Sequence, residues 1–195
     1  MKLSPHFTLE EFVYSSTAIA LGIDNSLDSG SSDFGKQGKL SSQDIISNLT
    51  TLCEEVLEPL REAVNSKEHG LLPTFLPWPS HEIPIVISSG YRCRELNKAV
   101  GGVSDSQHLT GEAADIAMPH YIGKTKLTTK QSLLLLKGWY LWMKDNVNYD
   151  QLIFESARKE VSAPNAPTVT YWIHVSCRSR PSRNRHEAKV AKLQS

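Results

Sequence analysis

Two side chains with metal-binding chemistry stand close together in the segment Ser106-Gln107-His108-Leu109-Thr110-Gly111-Glu112-Ala113-Ala114-Asp115-Ile116. An imidazole and a carboxylate lie seven residues apart, with Gly111 and two alanines between them. The glycine lets the chain turn sharply, and the alanines leave room for close approach. A loop histidine and a strand aspartate can then meet at one point, and a mixed nitrogen and oxygen donor set suits zinc. Trp172-Ile173-His174-Val175-Ser176 supplies a third donor. On a strand His174 shares a face with Trp172 and Ser176, while Ile173 and Val175 point the other way. Two histidines, one carboxylate and an open fourth position describe a catalytic rather than a structural zinc site.

The elements that must position these residues are legible as patterns. Thr8 and Glu11 form a capping box for a short helix, with Phe7 and Phe12 stapled across it. Residues 24–41 are rich in Gly, Ser and Asp and read as a surface loop. Ser42 opens a long helix in which Ile45, Ile46, Leu49, Leu52, Cys53, Val56, Leu57 and Leu60 keep the spacing of one buried stripe. Three prolines make residues 67–79 a rigid loop. Residues 82–88 read as a strand, with Pro84 placing it at an edge or at the strand's start. Arg94 to Val100 is a short helix closed by Gly101-Gly102, and Ala113 to Met118 a short strand.

A second long helix runs over 130–147, with Leu133, Leu134, Leu136, Trp139, Tyr140 and Met143 available for burial. Residues 151–155 and 168–177 alternate like strands of an antiparallel pair, joined by a loop over 156–167. The expected fold class is α+β: a small antiparallel sheet with flanking helices and the zinc site in a central cleft. The expected domains are 1–177, carrying the site, and 178–195, a solvated basic tail with six Lys/Arg against one Glu.

Composition narrows the classes further. The chain has 195 residues, 39% of them hydrophobic, and a length of this order supports one core without disulfide staples. With 21 basic and 21 acidic residues the formal charge is zero, which argues against a specific nucleic-acid binder. No apolar run exceeds the five residues Trp139 to Met143, far short of the ~20 residues of a membrane span. No apolar stretch follows Lys2, so no secretory signal is expected. The three cysteines, Cys53, Cys93 and Cys177, are odd in number and widely spaced, and read as reduced thiols. His6, His69, His81, His120 and His186 lack partner spacing and read as solvent-facing.

The blocks Ser106-x-His108-x-x-Gly111-x-Ala113-x-Asp115 and Trp172-Ile173-His174-Val175-Ser176 resemble the M15 zinc peptidases, the D-alanyl-D-alanine carboxypeptidase and peptidoglycan endopeptidase family. Ser89-Gly90-Tyr91-Arg92 resembles that family's Ser-Gly-x-Arg strand end, and residues 97–102 its lead-in to the first zinc motif. Residues 149–155 look like the strand before the last histidine in the M15 C-terminal-domain branch. Residues 7–25, with Leu-Glu-Glu-Phe, are similar to N-termini of phage-associated members, so an endolysin-like role is among the expectations.

The resemblance implies zinc held by His108, Asp115 and His174, and hydrolysis of a peptide bond in bacterial peptidoglycan. A hydrolytic site of this kind needs a cation for the oxyanion or a substrate carboxylate, and Arg92 is the expected one. Ser106 is a further substrate-binding candidate. The family's usual glutamate, three residues before the last histidine, is replaced here by Tyr171. Glu155 is the expected general base, on the strand beside that of His174, with Asp105 and Glu112 ranked below it. A non-catalytic zinc-binding module, serving wall binding or phage structure, is the alternative expectation. A peptidoglycan peptide is the expected partner, met by a monomer that reaches the wall by lysis, through a pore or as part of a virion.

Overall fold

The computed structural model describes residues 1–27, 40–74, 76, 78–159 and 168–193. Most of the expected loop over 24–41 and all of residues 160–167 lie outside the described residues, as do Phe75 and Pro77. Helix α1 spans Leu9–Val13 behind the Thr8/Glu11 capping box, with the Phe7 and Phe12 rings edge to face at 6.3 Å. Helix α2 spans Ser16–Leu21. Helix α3, Ser42–Leu52, is capped by Ser41, whose N–H and hydroxyl both donate to the Asp44 carboxylate.

The long helix does not run on regularly. Residues Cys53–Leu57 form a π turn, in which the Glu58 N–H reaches the Cys53 carbonyl, before α4 continues over Glu58–Asn65. Pro59 accounts for this. It has no N–H for the carbonyl four residues back, and its ring crowds that carbonyl, so the turn widens. The apolar stripe survives, and Ile45, Leu49, Leu52, Cys53, Val56, Leu57 and Leu60 are fully buried.

Five strands make the main sheet: β1 (Ile87–Ser89), β2 (Ala113–Ala117), β5 (Gln151–Lys159), β6 (Thr168–Ser176) and β7 (Glu187–Leu193), in the order β1-β2-β6-β5-β7. Strands β3 (Tyr121–Ile122) and β4 (Thr125–Lys126) pair separately. Between β1 and β2 lie α5 (Arg94–Ala99) and a 3-10 turn, Gln107–Thr110. Helix α6, Thr129–Asn146, is capped by Thr128. One sheet face carries Ile116, Ile173, Phe154, Val175 and Leu152 into the core with α3, α4 and α6. The opposite face carries Asp115, His174, Ile153 and Glu155. The expected α+β architecture is therefore present, and all three cysteines are free and buried.

Several local expectations are corrected. Of the segment 82–88 only Ile87 and Ser88 are strand, at the start of β1 (Ile87–Ser89). Pro84 cannot donate to a ladder, and the Asn65 side chain satisfies both the N–H and the carbonyl of Ile83 instead. Strand β5 continues through Lys159, so residues 156–159 are not loop. Leu134 is exposed, and Leu135 takes the buried position in α6. His6 is solvent-facing as expected, and its Nδ1 also pairs with Glu58 at 2.7 Å.

The largest correction concerns the basic tail. Residues 187–193 form β7, which pairs in parallel with β5 at an edge of an otherwise antiparallel sheet. The connection over 177–186 crosses the start of β5 above Asp150, whose side chain is fully buried. Asp150 accepts from Arg178 Nε at 2.7 Å, from Arg185 Nη2 at 2.6 Å and from the Arg185 N–H at 2.9 Å. Burial alone would raise the Asp150 carboxyl, but the two guanidiniums outweigh it and hold it well below the ordinary carboxylate range.

Asp150→Asn is expected to destabilise the protein by about 1–3 kcal/mol. That is less than a fully buried pair would lose, because both arginines are partly solvated. The stabilisation from ionised Asp150 is full above its unfolded pKa of about 3.9 and is lost as pH falls through the lower folded value. Thermal melts from about pH 5 down to about pH 2 should therefore fall less steeply in Asp150→Asn than in the native chain.

Candidate metal centre and its cleft

Each of the three donors is placed by a different element. Asp115 is central in β2 and stands directly opposite His174 on β6, so the two side chains share the cleft face. His108 comes from the 3-10 turn, which ends in Gly111 with φ 72°. A β-carbon at Gly111 would lie 2.9 Å from the Ile45 carbonyl oxygen, so the turn closes against α3 only with glycine there. Asn48 on α3 also donates to the Thr110 carbonyl at 2.8 Å.

The His108 ring is fixed by Gly90 at the end of β1. Its Nδ1 lies 2.7 Å from the Gly90 carbonyl, which fits an Nδ1–H donor and leaves Nε2 with its lone pair toward the centre. Gly90 in turn is pressed by α1, since a β-carbon there would sit 2.7 Å from the backbone of Phe12. The N-terminal Leu-Glu-Glu-Phe block thereby acts on the site through Gly90.

The donor atoms converge. His108 Nε2 to His174 Nδ1 is 3.2 Å, His174 Nδ1 to Asp115 Oδ1 is 3.0 Å, and His108 Nε2 to Asp115 Oδ1 is 3.3 Å. Bonds of about 2.0–2.1 Å to a tetrahedral zinc would put donors roughly 3.3 Å apart. The triangle therefore fits such an ion with little adjustment, and the cluster can hold a metal. The second Asp115 oxygen, Oδ2, pairs with Arg92 Nη2 at 2.6 Å, and Arg92 Nε donates to Ser89 Oγ at 2.8 Å. Burial would raise the Asp115 carboxyl, but His108 and His174 hold it well below its ordinary range. Burial pushes the His108 imidazole down, toward the neutral form that ligates metals.

These residues line a cleft of about 730 Å³. One wall is the loop over 100–106, with Asp105 and Ser106. The floor holds His108, Asp115, His174 and Trp172, and the far wall comes from β5 and β7, with Glu155 and Lys189. Glu155 stands opposite Trp172, one same-face position along from His174. Burial pushes its carboxyl up, which the nearby His174 only partly offsets.

All six residues singled out from the sequence thus line one cleft: Arg92, Ser106, His108, Asp115, Glu155 and His174. The lower-ranked carboxylates differ from one another. Asp105 is exposed on the loop wall, while Glu112 accepts from the Ser179 N–H and the Thr110 hydroxyl. Tyr171 lies on the other side of β6, its ring 6.2 Å from Phe154. Sequence reasoning missed Gln107, which accepts from the fully buried Ser176 hydroxyl at 2.8 Å and so ties the His108 turn to β6. The shared parity of Ser176 and His174 was the available signal.

Zinc added to metal-free protein should bind near one equivalent per chain and raise Tm. The gain is about 2.7 kcal/mol when free zinc is a hundredfold above Kd. His108→Ala should abolish the shift. Gly90→Ala, which removes no ligand atom, should weaken metal binding roughly 10–100-fold by disturbing the carbonyl that holds the His108 ring. Metal analysis and zinc titrations check both.

Comparison with known proteins agrees with this geometry. Residues 78–133 match the family model described as Peptidase M15, a span that includes β1, Arg92, His108 and Asp115 and stops before His174. No curated protein matches the chain. The likeness covers residues 78–133 of the 195-residue chain.

Proposed function

We propose that this protein is a zinc-dependent peptidase that cuts a peptide bond in bacterial peptidoglycan, in a stem peptide or a cross-link. The observation that carries the reading is the triangle of His108 Nε2, Asp115 Oδ1 and His174 Nδ1, with edges of 3.0–3.3 Å, open to a cleft that also holds Glu155. The M15 match and the Ser-Gly-x-Arg and Trp-Ile-His-Val-Ser blocks support the same class.

His108, Asp115 and His174 would hold the ion. The chemistry zinc supplies at such a site is Lewis acidity toward a peptide carbonyl and toward water. The rest falls to the chain's own groups. Arg92 aims the Asp115 carboxylate by binding Oδ2 and leaving Oδ1 to the centre. Its place in the cleft also lets it face the substrate's developing charge. Glu155, with its proton affinity raised by burial, accepts the proton of the attacking water and returns it to the leaving amine. Ser106 offers a hydroxyl to substrate from the loop wall.

The second reading is a zinc-binding module without turnover. It is favoured by Tyr171, which occupies the position of the family's usual glutamate and packs on Phe154 instead of facing the cleft. Glu155 is what weighs against it.

Purified protein is expected to release peptides from peptidoglycan, and a chelator should abolish this, with zinc restoring it. Glu155→Gln should keep zinc content and Tm while losing about 10²–10⁴-fold in kcat. Zinc binding without turnover on any wall peptide would select the non-catalytic module, and unchanged turnover in Glu155→Gln would remove Glu155 as the base.

A further inference from the structure

The far wall of the cleft is made by a strand that lies outside the span matched to the peptidase family. Lys189 on β7 stands opposite Ile153, which stands opposite His174, which stands opposite Asp115. Directly paired residues project to the same sheet face, so one row runs from the metal donors to Lys189. Lys189 lines the cleft.

We infer that Lys189 forms an anion subsite that recognises a carboxylate on the peptide substrate, two to three residues from the bond that is cut. The inference rests on the peptidase reading above. Strands lie about 4.8 Å apart, so Lys189 is two strands, roughly 10 Å, from His174. An extended peptide crossing the sheet advances about 3.3 Å per residue, which sets the two- to three-residue interval.

The ion pairs at that end of the cleft leave Lys189 loosely held. Arg178 and Arg185 share the single buried carboxylate of Asp150. Glu187 is in turn shared between Arg185 at 3.8 Å and Lys189 at 3.2 Å. Three cations thus meet two carboxylates in these pairs, and Glu155, one same-face position along on the same wall, is the third carboxylate. Asp105, by contrast, stands on the opposite wall. The Lys189–Glu187 pair is half exposed on both sides, so solvent screens it and exchange for a substrate carboxylate costs little. The base of the side chain is held in place, because the Tyr140 hydroxyl donates to the Lys189 carbonyl at 3.3 Å. A compact ammonium suits a single carboxylate oxygen, where a guanidinium would favour two.

The test uses synthetic stem peptides, each made with one carboxylate either free or amidated, at positions up to three residues on either side of the cleaved bond. The native protein should prefer the free acid over its amide by roughly three- to tenfold in kcat/KM at one such position, carried by KM and shrinking with added salt. Lys189→Met should bring that ratio to about one, and Lys189→Arg should retain most of it. A ratio near one in the native protein at every position, or a preference that survives in Lys189→Met, overturns the subsite. Titration calorimetry on the same acid and amide pairs reads the preference without turnover. If no peptide is cut, the peptidase reading fails, while tighter binding of the acid that is lost in Lys189→Met still upholds the subsite. Equal binding of acid and amide by the native protein rejects it.

Discussion

The site depends on one alignment, Asp115 directly across from His174 on adjacent strands. Slipping that register by one residue would send one of the two donors into the apolar layer. The register is held on the core side by Ala114, Ile116, Ile173 and Val175, all fully buried. On the cleft side the fully buried Ser176 binds both the Gln107 side chain and the Gln151 N–H. The same contacts that bury the sheet therefore set the distance between two metal donors. The third donor is added by a turn that only Gly111 allows to close on α3.

Asp115 is an expensive group to bury, and the cleft is organised around compensating it. One of its oxygens faces two imidazoles and the other a guanidinium. A lone carboxylate at that depth would take up a proton. His108 and His174 hold it ionised, Arg92 adds a fixed positive charge at the second oxygen, and Ser89 holds Arg92 in turn. A divalent ion placed at the donor triangle would add to this balance and relieve the close approach of two imidazoles.

The three donors were legible because ligand chemistry is carried by residue type and strand parity. His108 and Asp115 are near in sequence, and the alternation around His174 shows which face it occupies. The supports were less legible. Gly90 and Phe12 meet only in the folded chain, and no local pattern announces that contact. Strand β7 was not legible because its alternation Glu187-Ala188-Lys189-Val190 stops after four residues, at Ala191-Lys192, and holds only one large apolar side chain. Its place is set by Asp150, a buried charge whose partners lie 28 and 35 residues away. The segment 82–86 failed in the opposite sense. It has strand composition, but Pro84 interrupts it and the Asn65 side chain takes both backbone groups of Ile83, so only the Val86 carbonyl reaches β2, at Ala117.

The contact between Phe12 and Gly90 has a thermodynamic consequence. The N-terminal helix presses on the glycine whose carbonyl orients His108, so docking of α1 and the geometry of the donor triangle are two views of one equilibrium. Helix α1 is only five residues long and depends on tertiary packing for its stability. Short terminal elements of this kind commonly open before the rest of a domain. An ion bound at the triangle would then favour the docked helix, and the docked helix would favour the ion by the same factor, as linkage requires. Residues 9–13 thus act as a reporter of site occupancy, and their amide protons would exchange with solvent more slowly when the site is filled.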